Sequence, residues 1–231
     1  MTIGIIGAME KEVVNLKEKI SVVSVRNIIG LDYYIGTLHG NNVVLVRAGI
    51  GKVNAAICAQ VLIDQFAVDA IINTGIAGAI EKDLKIGDVV ISNDAVQHDF
   101  DTTVFGDEPG QITGVDEIYF KADDELIKRA YAAVQELGYI AHIGRVSSGD
   151  QFINTMEAKE RIWKIFKSKC CEMEGAAIAH TCYLNKIPFL VIRVISDNAD
   201  EGNCDNYESF CVDAANKASE VVNLLIEGLS C

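Results

Sequence analysis

Residues 3–6 form a short apolar run closed by Gly7, and over 10–20 the apolar residues Val13, Val14, Leu16 and Ile20 are spaced among charges. The run reads as a buried strand, and the spaced pattern after it reads as a helix with one apolar face. β-rich runs at 33–38 and 43–48 flank His39-Gly40-Asn41-Asn42, which predicts a hairpin inserted after the first helix. Gly49-Ile50-Gly51 leads into a helix over 53–66, followed by a buried-type strand at 70–74 that ends in Gly75-Ile76-Ala77-Gly78. A further strand is predicted at 88–92. Residues 97–116, with Pro109 and Gly106, Gly110 and Gly114, are irregular and long enough to suggest a functional loop. Beyond it the pattern predicts helices over 123–137, 158–166, 175–184 and 207–229, and strands at 140–147, 170–172 and 189–195. Strands alternating with helices imply an α/β fold: one domain over 1–231, three layers, a mixed and largely parallel central sheet with helices on both faces.

Composition narrows the partners. The chain has 231 residues, half of them hydrophobic, with 33 acidic against 20 basic side chains and a net charge of −13. That field repels phosphate backbones and anionic lipid, and the Lys and Arg residues are scattered, so neither nucleic acid nor a membrane surface is expected as a partner. Uncharged stretches such as 53–63 and 70–80 fall well short of a membrane span. Glu10, Lys11 and Glu12 arrive too early for a secretory signal, and seven Cys without framework spacing read as reduced thiols, so a cytoplasmic protein is expected.

In α/β folds ligands gather beyond the carboxyl ends of the strands. Glu12, Asp150, Glu174 and Asp197 each follow a predicted strand, which predicts four carboxylates on one rim. Each alone has an ordinary use, Glu12 and Glu174 in a first helical turn and Asp150 and Asp197 as caps or turn formers. Glu174 and Asp197 stand out because their small or apolar neighbours would leave an idle carboxylate desolvated. Gly49-Ile50-Gly51-Lys52-Val53-Asn54 lacks the third glycine of a dinucleotide fingerprint. Val46 and Val53 also stand where a P-loop needs Gly and Ser or Thr. His39, His98, His142 and His180 share no metal spacing and no nucleophile elbow occurs, so neither metal nor cofactor is expected. What remains is acid–base chemistry between carboxylates, the arrangement that hydrolyses a glycosidic bond.

Six segments carry a resemblance: Gly4-Ile5-Ile6-Gly7-Ala8-Met9-Glu10-Lys11-Glu12, Gly49-Ile50-Gly51-Lys52-Val53-Asn54-Ala55-Ala56, Asn73-Thr74-Gly75-Ile76-Ala77-Gly78, Ser148-Gly149-Asp150-Gln151-Phe152-Ile153, Glu172-Met173-Glu174-Gly175-Ala176-Ala177 and Arg193-Val194-Ile195-Ser196-Asp197. In order and over nearly the whole chain, they resemble the motifs of bacterial 5'-methylthioadenosine/S-adenosylhomocysteine nucleosidases, whose fold is nucleoside phosphorylase-like. The resemblance implies Asp197 as the general acid at adenine N7 with Ser196 beside it, Glu12 as the base for water, and Arg193 orienting both. It implies Glu174 on the ribose hydroxyls near Met173, Phe152 stacked on adenine, the Ile153 backbone on its edge, and Gly78 allowing close approach to the ligand. Met9, Ile50 and Tyr207 would line the 5' end, and a homodimer would bring the loop near Phe105 to the neighbouring site. An acid that must keep its proton calls for an apolar setting, which the run ending at Ile195 promises. Ile76 and Gly175 depart from the family pattern without touching the chemistry. Asp107 and Thr113 depart on the loop, where Asp107 reads either as a turn residue or as a charge facing the 5' substituent. The competing readings are a nucleoside phosphorylase, which needs phosphate contacts where Glu12 stands, and a purine-sensing module without catalysis.

Overall fold

The computed structural model of the chain describes residues 1–199 and 207–229, Tyr207 by its backbone alone. In chain order the elements are β1 (Thr2–Gly7), α1 (Glu10–Lys19), β2 (Ser21–Ile28), β3 (Leu31–Leu38), β4 (Asn41–Arg47), α2 (Lys52–Phe66), β5 (Ala70–Ala79), β6 (Val89–Gln97), β7 (Phe120–Lys121), α3 (Asp124–Glu136), β8 (Ala141–Ser148), α4 (Met156–Phe166), β9 (Cys170–Glu172), α5 (Gly175–Asn185), β10 (Phe189–Asp197) and α6 (Tyr207–Gly228). The predicted helices and strands are present within a few residues, and β2 and β7 are additions. β2 escapes the pattern because it is an exposed edge strand with no buried face to impose alternation. Its hairpin to β3 turns through Ile29 and Gly30, both at positive φ (51° and 80°). That geometry is a primed turn usually announced by Asn or Asp, and Ile in the first position hides it.

All the strands join one ten-stranded sheet. β5 pairs with β10, β10 with β6, β6 with β8, β8 with β9, and β9 returns to β5, so these five strands close into a ring. From β5 the sheet continues through β1, β4, β3 and β2 as an open wing. Parallel and antiparallel pairings balance, where the alternation of elements predicts a parallel majority. The two hairpins, β7 and the short returns of β9 and β10 supply the antiparallel ones. β5 also runs straight through Gly75-Ile76-Ala77-Gly78 instead of ending at Thr74, because β10 pairs with it from Ile71 to Gly78.

Helices α1, α3 and α6 pack together on one side of the sheet and α2 with α5 on the other, while α4 leans on β8. Ile3, Ile5, Ile71, Ile72, Leu190 and Ile192 are fully buried between these layers. A second, smaller apolar cluster of Ile153, Ile162, Phe166, Cys171 and Ala199 lies beneath the segments that follow β8 and β10. The core therefore clamps the strands and leaves their carboxyl ends, gathered at the mouth of the ring, to project side chains. Among the described residues no helix is long and apolar enough to cross a membrane.

Helix α3 starts where Asp123 accepts hydrogen bonds from the backbone N–H of Glu125 and Leu126 at 3.0 and 2.9 Å. Loss of such a cap costs about 1 kcal/mol. Asp123→Ala is expected to lower the melting temperature by roughly 2–4 °C, the scale for a chain of this size, with activity unchanged. Calorimetry alongside an activity assay checks both halves of that expectation.

Candidate active site

Where β1, β5, β9 and β10 end, a cavity opens that is lined by Ala8, Met9, Glu12, Ile50, Ile76, Ala77, Gly78, Gln151, Phe152, Ile153, Cys171, Glu172, Met173, Glu174, Ser196, Asp197 and Ala199. Glu12 is the third residue of α1, and its carboxylate turns back on the helix start. One oxygen accepts from the N–H of Ala8 and of Met9, each at 2.8 Å, and the other crosses to β5 to accept from Ile76 N–H at 3.1 Å. An acidic residue at this position commonly satisfies the free amides of a helix start. Here it does so while 4% exposed, and burial pushes its carboxyl above the usual range against the pull of Arg193 and the three amides. The close approach depends on Gly75, where a Cβ would sit 2.4 Å from the Glu12 oxygen.

Glu174 opens α5 and accepts the Gly51 N–H at 2.8 Å. Burial, reinforced by the charges of Glu172 and Glu12, pushes its carboxyl up to about 8. Glu172 is the functional residue that pattern reading misses. It accepts from Glu174 N–H at 3.0 Å, from Gly175 N–H at 2.8 Å, from the Ser148 hydroxyl and from the Arg193 guanidinium. Arg193 is 2% exposed and also bonds Asn73 and the Ile192 carbonyl. One guanidinium thus faces Glu12, Glu172 and Glu174, and burial with this shortfall of positive charge raises the proton affinity of both Glu174 and Glu12. The signal for Glu172 was an acid placed three residues before a glycine-started helix, readable as a cap but not as the partner of a distant arginine.

Asp197 follows a bulge in β10. Its oxygens accept from the Ser196 hydroxyl and from Ala199 N–H, both at 2.8 Å, so its setting is polar where the apolar run before it predicts the opposite. Gly78 makes room for this carboxylate and for Ala199 rather than directly for a ligand, since a Cβ there would lie 2.8 Å from the Asp197 oxygen. Met9, Ile50, Phe152, Ile153, Met173 and Ser196 all border the cavity, as the motif series implies. Arg193 stands behind the lining, joined to it through Glu172.

One expectation changes, at Asp150, the open one at Asp107 is decided as a turn, and Phe105 is expected only at a neighbouring site. Asp150 is not part of the lining and instead caps α2, accepting the Lys52 N–H at 2.8 Å, so three of the four predicted carboxylates meet in the cavity, joined by Glu172. Asp107 accepts the Thr102 and Thr113 hydroxyls at 2.7 and 3.0 Å, which makes it a staple within its own loop. Phe105 sits on a single 3₁₀ turn, 82% exposed, and does not line the cavity of its own chain. The side chain of Tyr207 lies outside the described residues.

A family model described as the phosphorylase superfamily matches residues 2–227. The 5'-methylthioadenosine/S-adenosylhomocysteine nucleosidase of Staphylococcus aureus (strain JH9) is 42% identical over 228 residues, covering 98% of this chain and 100% of that protein. The crystal structure of the nucleosidase of the same name from Neisseria meningitidis, in complex with methylthio-immucillin-A, superposes with a TM-score of 0.95. It is 39% identical and the match covers 98% of this chain and 99% of that one. The futalosine hydrolase of Helicobacter pylori strain 26695 superposes with a TM-score of 0.94 at 30% identity, covering 99% and 98% of the two chains.

The proton on Glu174 has a measurable consequence for stability. A carboxyl pushed by folding from its ordinary value of 4.5 up to about 8 binds its proton more tightly in the native state. Its contribution is complete below the unfolded value and is lost as pH rises through about 8, so the empty protein weakens between these limits. Glu12 acts in the same direction. Glu174→Gln cannot ionise and is expected to flatten that loss. Denaturation midpoints taken at acidic and at mildly alkaline pH should show the variant gaining on the parent as pH rises, and parallel curves would contradict the charge assignment.

Proposed function

The chain belongs to the phosphorylase superfamily, and within it we propose that this cavity hydrolyses the N-glycosidic bond of 5'-methylthioadenosine and S-adenosylhomocysteine, releasing adenine with methylthioribose or S-ribosylhomocysteine. The observation that carries this reading over a phosphorylase is the seat of Glu12. The Ala8, Met9 and Ile76 amides that could cradle a phosphate are already turned on a carboxylate of the protein itself. A fixed negative charge repels a phosphate nucleophile and suits a neutral one, which is water. A purine-sensing module without catalysis would have no use for this buried base.

The geometry supports the following roles. Asp197, held by Ser196 and Ala199, donates a proton to purine N7, so adenine departs as a neutral molecule. Cleavage leaves positive charge on the sugar, which the Glu12 carboxylate faces in a buried setting where such stabilisation is strong, while Glu174 bonds the ribose hydroxyls. Glu12, with its proton affinity raised by burial, accepts the proton of the attacking water. Arg193 Nε is buried and has no partner among the described residues, which leaves one donor for orienting that water. Glu12 stands beside Gly75 and Asp197 beside Gly78, positions roughly 10 Å apart along an extended strand. That span accommodates water, the anomeric carbon and the far side of the purine. Phe152 and Ile153 hold the base, Glu174 and Met173 the ribose, and Met9 and Ile50 the 5' end.

The 5' end is open in a single chain. Val104 and Phe105 are more than four-fifths exposed, and Ile50 and Val53 near the mouth are more than half exposed. A second copy of the chain would cover these apolar side chains and bring Phe105 to the neighbouring cavity. The protein is expected to sediment as a dimer, and a monomer with full activity would refute this arrangement.

Free adenine is expected from both nucleosides in buffer lacking phosphate and metal, followed by chromatography with futalosine as a third substrate. A rate that needs phosphate would return the chain to the phosphorylases. Asp197→Asn and Glu12→Gln should each cut turnover at least about 10²-fold with substrate binding largely kept, while Glu174→Gln should impair both. Titration calorimetry combined with single-turnover kinetics separates these outcomes.

A further inference from the structure

The segment 149–153 between β8 and α4 supplies Gln151, Phe152 and Ile153 to the cavity, yet it has no regular secondary structure to hold it. Gly149 N–H ties its start to the Glu172 carbonyl at 3.1 Å, and two further places hold Asp150. Asp150 N–H donates to one oxygen of Asp99 at 2.9 Å, and an oxygen of Asp150 accepts the Lys52 N–H at 2.8 Å. The circuit closes because the Lys52 ammonium bonds the other Asp99 oxygen at 2.6 Å and the Gln97 side chain at 3.1 Å. Neither Lys52 nor Asp99 lines the cavity.

We infer that Lys52 and Asp99 are positioning residues, a part-buried ion pair that locks the purine wall at Phe152 and Ile153 against the start of α2. The inference rests on the assignment of that wall to adenine under Proposed function.

Three features distinguish this pair from an ordinary surface contact, which contributes about 0–1 kcal/mol. Its side chains are only 17% and 15% exposed, so removal of either partner leaves the other charge part-buried with one neutral hydrogen-bond partner in place of an opposite charge. Although burial opposes it, the Lys52 ammonium and the Asp150 amide hold the Asp99 carboxyl below the usual range, which keeps it a carboxylate near neutrality. The three segments also meet with no spare room. A Cβ on Gly149 would lie 2.4 Å from the His98 ring and 3.1 Å from the Asp99 carboxyl carbon, and one on Gly51 would lie 3.1 Å from Asp150. Gly51 has φ of +100°, and its N–H is the donor to Glu174. The turn that carries Lys52 therefore sits between the purine wall and the ribose carboxyl.

A wall that stacks on the base contacts it alike before and during cleavage, so loosening it weakens binding more than it slows the chemical step. Lys52→Met and Asp99→Ala are each expected to raise KM for 5'-methylthioadenosine about tenfold with kcat within about threefold, and to weaken adenine binding in equilibrium dialysis to a similar extent. The double variant should be no worse than the poorer single one, because both changes break the same tie. Lys52→Arg and Asp99→Asn, which keep part of the hydrogen bonding, should fall between, and they carry the test if the harsher variants fail to fold. A lowered melting temperature with KM and adenine affinity unchanged would reduce the pair to a structural contact and overturn the inference. A fall in kcat at constant KM would overturn it as well. Adenine binding is read without turnover, so a parent protein that binds adenine but releases none from the nucleosides would sink the activity and leave the positioning role standing.

Discussion

One buried guanidinium facing three buried carboxylates is the constraint around which this site is built. Arg193 reaches the interior from β10, and Glu12, Glu172 and Glu174 reach it from three other elements. Charge inside a protein has to be paired or neutralised, and a single cation cannot pair three anions. The structure resolves the mismatch unequally. Glu172 collects backbone amides, a hydroxyl and the guanidinium, Glu12 collects three amides, and Glu174 has one amide and a carboxyl pushed up to about 8. That inequality separates the carboxyl groups by role. Glu172 anchors the arginine, while Glu12 and Glu174 both border the cavity.

Bringing these groups together requires a strand that yields space. β5 runs through the middle of the cavity floor, and at Gly75 and Gly78 it presents hydrogen where any larger residue would collide with Glu12 or Asp197. The glycines are extended, so their value here lies in the missing Cβ and not in unusual backbone angles. β5 also belongs to both the open wing and the closed ring, pairing with β1, β10 and β9. Glu12, delivered beside β1, and Asp197, delivered on β10, are consequently held against one element of the sheet.

Helix starts perform the remaining electrostatic work. The free amides of α1 hold Glu12, those of α5 hold Glu172, and those of α2 hold Glu174 and Asp150. Each start combines unpaired N–H groups with the positive end of a helix dipole, which favours a nearby anion. Gathering three of them at one mouth makes an acidic cavity tolerable in a chain whose net charge is already −13.

Much of this was legible in the chain itself. Runs such as 3–6 and 189–195 are apolar because both faces of the strand are buried, and that burial is a local property that composition records. Glu12, Glu174 and Asp197 were marked by their place just beyond strands and by the motifs around them, and all three meet in the cavity. Tertiary structure decided the rest. Closure of the ring, the extension of β5 through its glycines and the exposed strand β2 depend on which strands pair, and pairing partners lie too far apart in sequence to leave a local pattern. Glu172 and Asp150 show the same limit in opposite directions. Nothing near Glu172 announces Arg193, and nothing near Asp150 announces the start of α2, because a hydrogen bond between distant segments is specified only when packing has brought its donor and acceptor within 3 Å.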